Sequence, residues 1–255
     1  MKKLLSFWFL VAMVVVASCS DDDMSVAPSL NNGSTSGTGG SLARFTISGN
    51  KLYVVDQTSL RTFDVSTATD PKPATTIPIG LGIETVFPYG NNLFIGAADA
   101  MYIFDISNPA QPRQISRYDH FVGCDPVVVQ GNYAYVTLRT TGCRPGFNGN
   151  VLDVIDLTDL NQPRLVNTLQ MFGPYGLGVR GNALFVCEGD KGLRVFDVTE
   201  PQSPVEKSFV SDIKTYDVIP LPQSLLVTGE DGFRQYDYSD LTELKLLSKI
   251  DVAKN

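Results

Sequence analysis

The chain has 255 residues, 43% hydrophobic and 18% charged, with 27 acidic against 20 basic residues and a net charge of −7. That balance argues against nucleic acid as a partner, because cationic contacts to phosphate supply most of such affinity. A single histidine among 255 residues argues against a Ser-His-Asp triad and a histidine-rich metal site.

In chain order, Lys2 and Lys3 come first, followed by an almost unbroken apolar run over residues 4–16. The run is shorter than the roughly 20 residues of a spanning helix and is flanked as a signal peptide is flanked. The sequence VASC at 16–19 resembles the bacterial lipobox, in which cleavage precedes the cysteine and lipid is attached to its thiol. That resemblance implies a signal peptide over 1–18, a lipid-bearing Cys19 and two or three acyl chains. One chain alone would bind a bilayer with an association constant of only about 10⁴ M⁻¹. SDDD at 20–23 resembles the export signal that carries lipoproteins of Bacteroidetes-type bacteria to the outer face of the outer membrane. A solvated tether is the alternative reading. The expected location is therefore the outer membrane, lipid-anchored and surface-exposed, or else its periplasmic face. Residues 24–41, rich in Ser, Gly, Asn and Thr, read as a flexible linker. Cleavage would leave 18 basic against 27 acidic residues and no tryptophan, since Trp8 is lost.

Residues 42–255 repeat one unit. The tetrapeptides FDVS (63–66), FDIS (104–107), IDLT (155–158), FDVT (196–199) and YDYS (236–239) place aspartates 41, 51, 41 and 40 residues apart. Gly-Asn recurs at 49–50, 90–91, 131–132 and 181–182, with Pro222 and Gln223 in the fifth copy. A proline ends the motif at Pro73, Pro112, Pro163 and Pro204. Such a period signals a solenoid or propeller. Each unit reads as four short strands, in the fourth copy 175–180, 183–187, 193–198 and 204–210, with Gly181 and Asn182 as a hairpin turn. Second strands such as 52–55 are apolar on both faces, as in a sheet held between two others. Fourth strands carry charge (Arg113, Arg117, Glu206, Lys207), which suits an outer edge. The expected fold is all-β: a five-bladed β-propeller of four-stranded antiparallel blades, closed by face packing of blade five on blade one, with an open or partner-completed ring as the alternative.

The five aspartates Asp64, Asp105, Asp156, Asp197 and Asp237 serve a need common to every blade, so they read as turn acceptors rather than metal ligands. Function is expected where copies differ. The third copy is ten residues longer, and the surplus at 139–150 holds Arg139, Arg144 and Phe147. Long loops on rigid scaffolds commonly carry binding. Cys124 and Cys143 bracket the hairpin leading to this loop, and an exported protein favours a disulfide between them. Cys187 reads as a buried free thiol and His120 as a surface residue. Six residues before each hairpin anchor stand Ala43, Glu84, Asp125, Tyr175 and Tyr216, with Asp217 one place on. If these strand starts face the axis, carboxylates share one mouth.

The units, most clearly LDVID at 152–156 and GLRVFD at 192–197, resemble the LVIVD repeat of bacterial surface and secreted proteins, and 123–198 resembles LVIVD-type lipoproteins of Bacteroidetes. The reading is a membrane-anchored monomer that binds a protein or glycan through Arg139, Arg144, Phe147, Tyr175 and Asp217. It needs no metal or cofactor. The alternative is a polysaccharide hydrolase or lyase using Glu84, Asp125 and Asp217, whose carboxyls would then lie about 5 to 10 Å apart. A purely structural part of an envelope complex is the third reading.

Overall fold

The computed structural model describes residues 40–121, 123, 126–140 and 149–252. Blade one comprises β1 (Phe45–Ser48), β2 (Lys51–Val55), β3 (Ser59–Asp64) and β4 (Lys72–Pro78). Blade two comprises β5 (Ile83–Tyr89), β6 (Asn92–Ala97), β7 (Ala100–Asp105) and β8 (Arg113–Asp119). Blade three holds β9 (Val127–Gln130), β10 (Tyr133–Leu138), β11 (Val151–Asp156) and β12 (Arg164–Gln170). Blade four holds β13 (Leu177–Arg180), β14 (Ala183–Cys187), β15 (Leu193–Asp197) and β16 (Val205–Val210). Blade five holds β17 (Asp217–Pro220), β18 (Leu225–Gly229), β19 (Gly232–Asp237) and β20 (Lys245–Asp251). Each blade is one four-stranded antiparallel sheet in chain order, and among the described residues no blade borrows a strand from the far end of the chain. This is a five-bladed β-propeller. Among the described residues, no helix is long and apolar enough to cross a membrane.

The repeat anchors have physical roles. Gly49, Gly90, Gly131 and Gly181 turn with φ of 59, 57, 60 and 60°, a conformation that costs a side-chain-bearing residue energy. The five motif aspartates each accept the amide two residues on, at 2.8 to 2.9 Å. Four of them also face Lys51, Arg113, Arg164 or Lys207. These donors hold all five carboxyls below the ordinary range, Lys51 foremost at Asp64 and the Ser or Thr two residues on at the others. A register shift just before the motif recurs in every blade and twists the outer strand. Because Lys72 pairs with Asp64 as Arg113 pairs with Asp105, the equivalent proline in blade one is Pro71 rather than Pro73.

Four apolar cores lie between consecutive blades. In each, a row on the front of one blade meets a row on the back of the next. The front rows are Leu60 with Ile77, Met101 with Tyr118, Leu152 with Leu169, and Leu193 with Val210, all cross-strand partners. A fully buried side chain of this size contributes about 1.5 to 3 kcal/mol. The fifth interface departs from the expectation. Among the described residues no core joins blade five to blade one, and the equivalent front pair, Phe233 and Ile250, is 50% and 68% exposed. Face packing therefore does not seal the ring. The two ends are tied at the axis instead.

Candidate functional site

The innermost strands β1, β5, β9, β13 and β17 neighbour one another in sequence order, so their first residues gather at one mouth of the ring. The lead-in to blade one lies across this mouth. The Ala43 amide donates to the Gly40 carbonyl (3.1 Å), and the Val86 amide of blade two donates to the Ala43 carbonyl (2.9 Å). The Arg44 guanidinium donates to the Ile83 carbonyl (2.9 Å). Ser41, only 1% exposed, accepts the Leu177 amide of blade four at 2.7 Å and donates to Asp217 of blade five at 3.3 Å. Residues 40–44 thus bind blades two, four and five from the centre. Ser41, which composition places in the linker, is part of the packed ring.

Asp217 belongs to that tie. Besides Ser41 it receives the amides of Val218 and Leu42, and a Cβ placed on Gly40 or Gly176 would fall 2.0 or 2.2 Å from its carboxyl oxygens. Burial pushes its carboxyl above the ordinary value while the amides oppose the rise. Asp217 is partly buried, and its carboxyl holds donors from Ser41, Leu42 and Val218 of the lead-in and of its own strand.

Arg139 and Tyr175 do come together. The guanidinium of Arg139 lies 3.9 Å from the centre of the Tyr175 ring, a stacked cation–π contact. Tyr216 of blade five, 36% exposed, tilts against the same ring at 5.6 Å. Thr137 of β10 donates to the Tyr175 carbonyl at 2.8 Å, which fixes the loop bearing the ring. Glu84 is half-buried on blade two, and desolvation raises its pKa while the charges of Arg139 and Arg44 oppose the rise. Arg44, Glu84, Arg139, Tyr175 and Tyr216 thus bring both charges and aromatic surface to one opening. Tyr216 and Arg44 stand at or beside the counted strand starts, but only the fold gives them a shared purpose.

The long insertion joins β10 to β11, and its neck is tied. The Thr140 amide donates to the Asn150 side chain (3.1 Å), the Gly149 amide to the Thr140 hydroxyl (3.0 Å), and the Asn150 side chain to the Phe172 carbonyl (2.7 Å). Arg144, Phe147, Asp125, Cys19 and the proposed Cys124–Cys143 pair lie outside the described residues. Cys187 is a free, fully buried thiol whose pKa burial pushes up. Sequence reasoning missed a second charged cluster, in which buried Glu188 faces Arg194 at 2.9 Å between blades three and four. Among the described residues, no three His, Cys, Asp or Glu side chains gather as a metal site.

A family model described as the LVIVD repeat matches residues 39–74, 85–120, 124–170 and 176–212, more than half of the chain. The chain belongs to the LVIVD repeat family. Its fifth blade, which has Pro222 and Gln223 at the hairpin, falls outside those matches yet folds as the other four do. No curated protein matches this LVIVD propeller. Among solved structures it is similar to the periplasmic gluconolactonase PpgL of Pseudomonas aeruginosa, with 16% identity and a TM-score of 0.64 over 80% of this chain and 68% of that one. A protein from Lactobacillus plantarum gives 16% identity and 0.64 over 80% and 73% of the two chains. BamB from Moraxella catarrhalis gives 12% and 0.55 over 81% and 62%. At these identities the likeness is one of fold.

Proposed function

We propose that the LVIVD propeller is a lipid-anchored binding scaffold of the outer membrane that engages a protein or glycan at its axial mouth. The observation that supports this most is the convergence of Arg139, stacked on Tyr175, with Tyr216, Glu84 and Arg44 beside the neck of the long loop. Arginine and tyrosine dominate the energetics of many recognition surfaces. A tyrosine face suits a sugar ring or an apolar side chain, and the two guanidinium groups suit carboxylates or hydroxyls. The lipobox-like residues 16–19 and the acidic run at 20–23 support the anchor and the surface location.

Ligands are to be sought by probing a glycan array and a cell-envelope extract with the purified protein. The Arg139→Ala and Tyr175→Ala variants are each expected to weaken whatever binds by about thirtyfold, the usual loss at a binding hot spot. Unchanged binding by both variants would remove the mouth from the account. Cys19→Ala is expected to move the protein from the membrane fraction to the soluble fraction, and retention at the membrane would count against the anchor.

A second reading, hydrolase or lyase action, draws on Glu84, whose raised pKa suits a general acid. The fold shared with a protein named as a gluconolactonase is compatible with it. It requires a second carboxylate, and Asp125 and Asp217 are the candidates. Turnover of a lactone or polysaccharide that Glu84→Gln abolishes, with ligand binding retained, would favour the enzyme.

A further inference from the structure

The repeat writes a code for how one blade receives the next, and blades five and one carry it unused. Three front elements recur. Leu60, Met101, Leu152 and Leu193 fill the core ahead of each blade, and all four are 0% exposed. Ile77, Tyr118, Leu169 and Val210, opposite them on the outer strands, pack into the same cores. Finally, a side chain two residues earlier on each outer strand donates to a turn carbonyl of the following blade. Thr75 reaches Ala110 at 2.7 Å, Ser116 reaches Leu160 at 2.6 Å, Asn167 reaches Gln202 at 2.9 Å and Ser208 reaches Leu241 at 2.7 Å.

Blade five repeats all three elements at Phe233, Ile250 and Ser248, identified by the same strand register. Among the described residues none is used between blades: the first two are exposed, and Ser248 donates to Gln235 of its own blade at 3.1 Å. The back of blade one is equally complete. Leu52 and Phe63 pair across strands as Leu93 and Phe104 do in blade two. With Val54, Pro71 and the ion pair of Asp56 with Arg61 they line an open groove of about 450 Å³, whereas Leu93 and Phe104 are 0% and 1% exposed. Phe45 and Ile47, opposite Val54 and Leu52 on β1, extend the same face and are 62% and 40% exposed. Monomers seldom leave so continuous an apolar face uncovered without a partner for it.

We propose that the seam between blades five and one is a docking site for a β-sheet of a partner protein that is apolar on its two faces and completes the ring. The site continues an interface that this chain forms four times, so the chemistry of its occupant is specified. Against blade one the occupant presents aliphatic side chains in two cross-strand rows, with a hydroxyl or amide donor beside them. Against blade five it presents an apolar back and a turn carbonyl. A second copy of the chain fits poorly: joined by the same contact it would continue around the same axis, and its later blades would meet blade one of the first. The proposal is independent of the mouth.

The test uses the full-length protein in detergent and, as probe, a fluorescein-labelled synthetic peptide of residues 232–252, which carries the front rows of blade five. Saturable binding by anisotropy is expected, weakened about tenfold or more by Val54→Asp and unchanged by Leu81→Asp, an exposed apolar residue outside the seam. Both positions lie at least partly open to solvent, and far-UV circular dichroism with thermal melting verifies that each variant is folded. Absence of binding, or binding indifferent to Val54→Asp, overturns the proposal. Sedimentation of the protein alone is expected to give the mass of one chain per micelle. Self-association lost in Phe233→Asp would place a second copy in the seam and overturn it as well.

Discussion

Replacing Asp217 with alanine is expected to lower the unfolding free energy by about 3 kcal/mol, a loss near 10 °C in Tm for a domain of this size. The residue holds the two ends of the ring together. Its carboxyl receives the amides of Leu42 and Val218 and the Ser41 hydroxyl, which in turn accepts the Leu177 amide at 2.7 Å. Alanine leaves the buried donors of Ser41 and Val218 without this acceptor, and such groups cost about 1 to 3 kcal/mol each when abandoned. Nothing else between blades five and one makes up the loss, because no apolar core joins them among the described residues.

The Asp217 effect carries a pH signature. A carboxyl whose folded pKa is raised above the ordinary value of 3.8 binds its proton more tightly in the folded state. Its stabilisation is then complete below that value and declines as pH rises through the raised one. The gap between wild type and Asp217→Ala should therefore be widest in acid. Gly176→Ala attacks the same tie from the other side, since its Cβ would lie 2.2 Å from the carboxyl oxygen. The two substitutions act on one contact, and the double variant should fall short of the sum. Thermal melts of the three proteins at two pH values check each point, and strict additivity would mean that Asp217 and Gly176 act separately.

The architecture was legible because it depends on short-range pattern repeated five times. Alternating strands, the Gly-Asn turns and the motif aspartates each act within a few residues, so their spacing reveals the blades and their order. In blade four the strands lie within two residues of where the pattern puts them. Pro73 misled because two prolines stand near the motif of blade one, and only the pairing of Lys72 with Asp64 chooses between them. The closing tie was not legible. Ser41 and Asp217 are 176 residues apart, and Ser41 stands in a stretch whose composition is that of a linker. That Asp217 also takes part in this tie is not legible for the same reason: no local pattern reveals that the lead-in reaches it. Arg139 and Tyr175 were singled out for separate reasons, a loop and a strand start, and their stacking follows from blades three and four being neighbours. The open seam was legible only as an alternative to closure, because Phe233 and Ile250 match their buried equivalents in kind.

Glu188→Ala should be among the most damaging substitutions of a charged residue, at about 2 to 3 kcal/mol. The side chain of Glu188 is 0% exposed and faces Arg194 at 2.9 Å. It also accepts the amides of Phe172 (3.0 Å) and Gly173 (2.7 Å), where the chain passes from blade three to blade four. Alanine would take the nearer of two carboxylates from a guanidinium that is 13% exposed and lies over Phe172 at 4.5 Å, leaving it Glu206 at 3.3 Å, and would leave two amides without their acceptor. Glu188→Gln keeps an acceptor for the amides but turns an NH2 group toward Arg194 in place of the carboxylate oxygen, so it removes the ion pair while sparing the amide contacts and should cost less. If the two variants melted alike, the ion pair itself would be the whole effect and the amide contacts would contribute nothing. Burial raises the Glu188 pKa above the ordinary 4.5, so protonation at this site favours the folded state, and its stabilisation declines as pH rises through the raised value. The motif aspartates have depressed values and behave oppositely: their stabilisation is present above the ordinary carboxylate pKa and is lost as pH falls through the depressed ones. Acid unfolding should therefore begin at the blade turns and not at the buried pair. Hydrogen exchange along an acid titration is expected to show the amides of Ser66, Ser107, Thr158, Thr199 and Ser239 losing protection before those of Phe172 and Gly173, and the reverse order would refute this division of labour.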